Sequence, residues 1–401
     1  TEGKLPVLRA KQGQEFRVRF NNKLDEEIWL HLFGVRGGYE MMTVPVQPGD
    51  ANATDIVFTP PDAGTFWFGP LVNASRQRDM GLSGMLIVEE ANPPVAFADV
   101  PLIFDDWILD DQGKMDQSFG NLEAAIGRGR PGNWFTVNGA YRPQYAVERS
   151  KPTRLRLLNV CNSRTLTLQL RNVDVLIIAE DGQPVTPRPP GLDPLTLAPG
   201  QRLDMLVVTI LDQGIISLDL GQDVVEAVYL MGQGEAGAAL PDDFRLPDNP
   251  LPAVPASEPR VVPLVLAGGE NGGLKSARVG ELTLDLRQLL EKGLAWSMNG
   301  VAGLGGPFIF EAKKGEAIAL DVQNTTAFPQ PLNIHGHVWK VVERDGQPVE
   351  GEGWGDTAVI PEKSRAKLLL VADNPGPWAI QSLIAERSDA GLIGAFRVAE
   401  A

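Results

Sequence analysis

The end of this 401-residue chain repeats its beginning. Near the start, Lys11-Gln12-Gly13-Gln14-Glu15 opens an alternating stretch that closes at Asn21-Asn22 and leads to Trp29-Leu30-His31-Leu32-Phe33-Gly34. Near the end, Lys313-Lys314-Gly315-Glu316 opens a second stretch that closes at Asn324-Thr325 and leads to Leu332-Asn333-Ile334-His335-Gly336. Gly13 to His31 and Gly315 to Asn333 both span 18 residues, so His31 corresponds to Asn333 and Phe33 to His335. The second halves match as well. Gly64 to Trp67 followed by Gly81 to Val88 answers to Gly376 to Trp378 followed by Gly391 to Val398, and Gly69-Pro70-Leu71 stands where Gln381-Ser382-Leu383 stands. A fainter middle copy runs through Val147 to Leu170. Self-similarity on this scale means repeated units of one architecture.

Those units are β. Glu15 to Phe20 and Arg154 to Leu158 alternate apolar and polar residues, or nearly so, which is the period of a half-buried strand. Asp-Gly-Gln-Pro-Val occurs at Asp181 and again at Asp345, and its Asp-Gly pair is a tight-turn signal between strands. Gly (43) and Pro (32) punctuate short runs, and few segments keep a helical period over ten residues. The best helical candidate is Leu282 to Gly293, with Leu282, Leu286, Leu289 and Leu290 on one face. The expected fold is all-β, as three sandwich domains over 1–92, 93–255 and 256–401. Asn92-Pro93-Pro94 and the Pro- and Asp-rich stretch from Asp242 to Pro259 read as linkers, and Gly127 to Gly132 as a Gly/Arg loop.

Composition narrows the function. Lys and Arg number 36 against 51 Asp and Glu, a net charge of −15, and phosphate backbones need the opposite. No run approaches the roughly 20 apolar residues of a membrane span. The single cysteine, Cys161, excludes an internal disulfide. Only three histidines occur, His31, His335 and His337. Thr1-Glu2-Gly3-Lys4 is no signal peptide and reads as a processed or trimmed start.

At these residues the chain resembles the three-domain multicopper oxidases, built of cupredoxin-like Greek-key sandwiches. The resemblance covers nearly the whole chain and implies four histidine-rich copper-binding blocks. The block His-Trp-His-Gly is here His31-Leu32-Phe33-Gly34. The block Trp-Tyr-His-Ser-His is Trp67-Phe68-Gly69-Pro70-Leu71. The block His-Pro-x-His-Leu-His-Gly is Gln330-Pro331-Leu332-Asn333-Ile334-His335-Gly336. In the fourth block, Gln381, Ser382, Leu383, Arg387 and Leu392 stand where the family carries His-Cys-His, a further His and an axial Met. Of the eight imidazole positions implied for a three-copper cluster, His31 and His335 survive. The acid of the family's Met-Asp-Gly segment is replaced by Met42.

A blue-copper centre needs a Cys thiolate, two His and a weak axial ligand. Ser382, Gln330, Arg387 and Leu392 supply none of these, and a guanidinium repels a metal. No copper cofactor is therefore expected, and no catalytic residue. The scaffold positions, by contrast, are kept: Gly64, Trp67, Gly84, Pro331, Gly336, Asp356, Trp378, Arg154 to Asn159 and Pro199 to Arg202. His31 and His335 are weak residual metal candidates, short of the three protein ligands usual for catalytic zinc. His337, on the same strand face as His335, reads as structural. Cys161 reads as a small buried hydrophobe, and Met41 with Met42 as packing residues. The glycines from Gly300 to Gly306 lack the helix of a dinucleotide fingerprint.

The resemblance extends to SufI-type cell-division proteins, which keep the oxidase fold without copper. It implies a periplasmic scaffold that binds other proteins, with division-complex components as partners, exported through a twin-arginine signal upstream of Thr1. The alternative is a divergent oxidase or another metal-dependent enzyme using His31 and His335. Phe33, Leu71 and Leu383 are expected to be buried together, their apolar packing replacing metal as the tie between first and last domains at roughly 25 cal/mol per Å².

Overall fold

The computed structural model describes residues 5–93, 97–221, 223–237, 239–351 and 353–400. The expected features at Thr1–Lys4, and Pro94 of the first linker, lie outside these residues. The chain is all-β. In the first stretch a five-stranded sheet runs in the spatial order Val7–Lys11, Gly84–Glu89, Gly64–Pro70, Ile28–Phe33, Thr43–Val46, and faces the pair Phe16–Phe20 and Thr54–Phe58. The middle stretch stacks a six-stranded sheet, centred on Thr153–Asn159 and Arg202–Thr209, on a five-stranded one. The last stretch stacks a six-stranded sheet on the five strands Glu311–Lys313, Ile393–Ala399, Gly376–Ser382, Gln330–Ile334, Thr357–Ile360.

The internal repeat is a repeat of register. His31 pairs across the sheet with Gly69, and Asn333 pairs with Gln381 in the equivalent place. In both units the strand in question lies between the same two antiparallel neighbours. Gly64–Pro70 and Gln330–Ile334 are buried at every residue, so these strands are covered on both faces rather than one. That is why their sequences lose the polar–apolar alternation seen in Phe16–Phe20.

Turn chemistry follows the sequence. Asp181-Gly182 and Asp345-Gly346 both sit at positive φ (46° and 77°, 46° and 79°), the geometry a two-residue hairpin demands. Two local expectations are corrected. Leu282–Asp285 is a strand, and the helix is only Leu286–Glu291. Asp285 caps it, accepting from the Gln288 backbone while the Gln288 side chain accepts from the Asp285 backbone, a capping box that fixes the start. Leu282, outside the helix, is exposed. Likewise His335 and His337 lie beyond the strand Gln330–Ile334, because Gly336 at φ +65° bends the chain. The stretch from Asp242 to Pro259 has no regular elements. Yet it is docked: Phe244 and Leu246 pack on Ile178 and Leu206, and the Asn249 amide bonds to both backbone groups of Ala63.

Candidate functional site

Of the positions singled out in the sequence, His31, Phe33, His335 and Leu383 meet where the three sandwiches touch. His31 is carried by the strand Ile28–Phe33, whose register brings it beside His335 from the far end of the chain. The two rings stack at 3.7 Å between centroids, 20° from parallel. Both are buried, and the Nε2 atoms of both lack a hydrogen-bond partner, while His31 Nδ1 contacts the Thr43 hydroxyl at 2.7 Å. Burial, then the neighbouring His335, holds the pKa of His31 well below its ordinary value. Burial lowers His335 to about 3. Both rings are therefore neutral near pH 7. Lone pairs of imidazole lie in the ring plane, so two stacked rings direct them side by side rather than toward a shared ion. His337 is satisfied locally: Nδ1 donates to the His335 carbonyl at 3.1 Å, Nε2 accepts from Asn374 N, and the ring is wedged edge-on against Trp378 and Phe396.

Phe33 stacks flat on Trp67 at 3.8 Å and meets Leu383 in one apolar cluster with Met85, Ile87, Ile103, Leu158 and Val160. Residues from all three sandwiches contribute to it. Leu71 is buried too, but in a separate small cluster with Ala379 and Ile393. The expected convergence of three side chains is thus two apolar contacts, since Leu71 lies past the end of the strand Gly64–Pro70 and packs elsewhere. Gly69, between them, presses on the Trp67 ring: a Cβ there would sit 2.8 Å from it.

The positions implied for blue copper form a different structure. Arg387 is buried, and its guanidinium donates to Gln330 Oε1 (3.1 Å), the Pro329 carbonyl (2.8 Å) and the Gly127 carbonyl (3.1 Å). It lies over the rings of Trp296 and Phe328 at 5.1 and 4.7 Å. Ser382 donates to the same Gln330 oxygen at 3.3 Å, and the Gln330 amide donates to Thr326. Burial lowers the Arg387 pKa to about 10, which leaves it cationic at neutral pH. Leu392 is buried in the main core and its carbonyl accepts from Ser382 N. A guanidinium, a hydroxyl, an amide and an isobutyl group do not fit a blue-copper donor set, and two stacked imidazoles do not fit a three-copper cluster.

Sequence reasoning placed Arg154, Arg156, Arg202 and Asp356 among the scaffold residues but missed the ion pairs that they and other buried charges make around these positions. Arg202, wholly buried, makes a two-pronged ion pair with Asp356 (2.8 and 2.6 Å) and donates to the Thr65 carbonyl, so it touches all three sandwiches. Arg78 donates to the Leu383 carbonyl and lies over Trp67. Arg154 and Arg156 share Asp204, which also accepts from the Thr65 hydroxyl. Arg36 joins Asp62 to Asp373. The tie between first and last sandwiches is therefore ionic as well as apolar, which the expectation of apolar packing alone did not include. Nearby, burial and the Glu386 charge push Asp79 up to about 8, and burial pushes Glu386 to about 7. Asp105, Asp106 and Cys161 bring donor atoms within 4.8 Å of one another. Asp106 already accepts from Gly132 N and Arg164, and burial favours the neutral forms of Asp105 and Cys161.

Three cupredoxin-like sandwiches meeting at one shared junction define the architecture of the multicopper oxidases. Three family models described as multicopper oxidase match residues 3–93, 98–215 and 283–401, together most of the chain. The chain belongs to the multicopper oxidase superfamily. It is similar to the multicopper oxidase MmcO of Mycobacterium tuberculosis, at 26% identity over 94% of this chain and 77% of that protein. It is similar to the same degree to the cell division protein FtsP of Escherichia coli, 26% over 97% of this chain and 82% of that one. Among solved structures, a multicopper oxidase from Pseudomonas thermotolerans superposes with a TM-score of 0.83 and 29% identity, covering 98% of this chain and 91% of that one.

Proposed function

We propose that this chain is a multicopper-oxidase-like protein that works without copper, as a protein-binding scaffold related to cell division rather than as an oxidase. The observation that carries this reading is Arg387: a fixed internal cation, bonded to Gln330 beside Ser382, stands where the family's blue copper would be. An electron cannot enter a copper cluster through a site built of Gln, Ser and Arg. The kinship with FtsP proteins supports a role in division, and with it a periplasmic location reached by export. Among the described residues no helix is long and apolar enough to cross a membrane. The rival reading, a metal-dependent enzyme at His31 and His335, draws on their two unpartnered Nε2 atoms. The face-to-face stacking of the rings speaks against it.

The test is copper loading followed by elemental analysis and visible spectroscopy, beside affinity capture of division proteins. The expected result is a colourless protein holding less than about one copper, which captures a division component. Three or four bound coppers, or a strong blue band, would sink the reading.

A further inference from the structure

A cleft of about 350 Å³ lies between the middle and last sandwiches. Two strands reach it, Leu195–Leu197 and Thr357–Ile360, and each is the outermost strand of its five-stranded sheet. Each lines the cleft with consecutive residues, Leu195 to Leu197 on one wall and Thr357 to Val359 on the other. Side chains alternate between the two faces of a strand, so a wall made of neighbours in the chain is the edge of the strand rather than a face. Trp339 and Val341, by contrast, line the cleft from alternate positions and show it one face of their strand.

The register decides which backbone groups the second edge offers. Ile334 N donates to the Asp356 carbonyl, so Asp356, Ala358 and Ile360 turn their backbone groups toward Gln330–Ile334, and Thr357 and Val359 turn theirs the other way. The Val359 carbonyl bears this out: it accepts at 3.2 Å from Arg344, which also lines the cleft. Among the described residues, the Thr357 N–H and C=O and the Val359 N–H have no partner. Thr357 is buried, and a buried backbone group without a partner is costly. Open edges are commonly blunted by proline or charge. The edge strand Gln183–Arg188 carries Pro184 and Pro187, but Thr357–Ile360 has neither device.

We propose that this cleft takes up an extended segment of a partner protein as an added strand, paired to Thr357 and Val359, with apolar side chains toward Trp339 and Val341 and lysines at its ends. The inference rests on the protein-binding reading above and names the form of the partner's contact. Charge complementarity supplies the lysines. Asp193 and Glu350, exposed just ahead of the lining stretches that begin at Leu195 and Gly353, have no ion-pair partner among the described residues. A chain of net charge −15 also draws a basic segment in from a distance.

The probe is the peptide acetyl-Lys-Val-Thr-Val-Thr-Val-Lys-amide, titrated by calorimetry into the full chain. Two analogues carry N-methyl groups, one on the valines and one on the threonines, which removes main-chain donors and keeps every side chain. The parent is expected to bind saturably, and at least one analogue to bind about tenfold more weakly or worse. Val359→Pro removes the outward N–H without touching the ladder to Gln330–Ile334, a place where an edge strand tolerates proline, and should abolish binding. A second variant guards against misfolding: Thr196→Trp, at an exposed position on the opposite wall, should fill the mouth while the melting temperature stays unchanged. No binding of the parent, equal binding of all three peptides, or binding that survives either variant overturns the assignment. Capture of a division protein equally by wild type and Thr196→Trp, with no peptide bound, overturns the cleft and leaves the scaffold reading standing. Peptide binding with no division protein captured does the reverse.

Discussion

Phe33 shows what a single replacement does to a junction of this kind. An imidazole at this place would present two polar nitrogens to a dry pocket. Phe33 instead lies flat on Trp67 and edge-on to His31 and His335, at 4.6 and 5.6 Å between centroids, and is fully buried. Truncation would leave a cavity walled by Trp67, Leu383 and Ile103 that rigid strands cannot close. Phe33→Ala is expected to lose about 3–5 kcal/mol of unfolding free energy, read from denaturant titration. A variant as stable as wild type would mean that the pocket is wet. Which residue types stand at the repeated positions was legible in the sequence, because that is a matter of residue identity. The new partners of these residues were not, because they come from other sandwiches. Nothing local to Arg202 in Pro199-Gly200-Gln201-Arg202 announces Asp356, 154 residues away. Nor does Leu71, one residue beyond its strand, announce that it packs apart from Phe33.

Short helices do more at the junction than their length suggests. The helix Ala74–Asp79 begins at Asn73, which sits in the left-handed region at φ 51° and gives no side-chain cap. The cap comes from the last sandwich: Asp389 accepts from both Ala74 N and Ser75 N. One carboxylate thus ends one helix, starts another and joins the two ends of the chain. Asp389→Ala is expected to cost about 1–2 kcal/mol, the scale of an N-cap, with Asp389→Asn milder because one acceptor oxygen remains. Thermal melting of the two variants decides; equal effects would mean that the carboxylate acts by charge rather than as an acceptor. Elements of this kind were the least visible in advance. The strands from Phe16 and from Thr153, and the paired Asp-Gly turns, follow from period and turn chemistry. The helix at Leu286 is shorter than the apolar spacing from Leu282 to Gly293 suggests, by four residues at its start and two at its end; the Asp285 and Gln288 capping pair, directly after the preceding strand, sets the start.

Across the whole molecule, the cohesion of the three sandwiches depends on buried charge, and buried charge depends on pH. Asp79 is raised to about 8, chiefly by burial and then by Glu386, against an unfolded value of about 3.9. The folded chain thus holds a proton that the unfolded chain releases. The stability this confers is complete below about pH 4 and is lost as pH rises through 8. His335, lowered to about 3, works the other way: the unfolded chain takes up a proton first, so its share is lost as pH falls from about 6.5. Melting temperature should therefore pass through a maximum in mildly acidic buffer. Asp79→Asn, which mimics the protonated form, should be more stable than wild type at pH 8 and converge with it toward pH 4. A gap that persists unchanged at pH 4 would locate the effect elsewhere. A thiol at Ser382 would arrive beside a guanidinium already committed to Gln330, Pro329 and Gly127, and removing that guanidinium would orphan the Pro329 and Gly127 carbonyls in a closed core, while Gln330 keeps the Ser382 hydroxyl. No single substitution therefore turns this pocket into a thiolate metal site: the thiol and the loss of the guanidinium would have to arrive together.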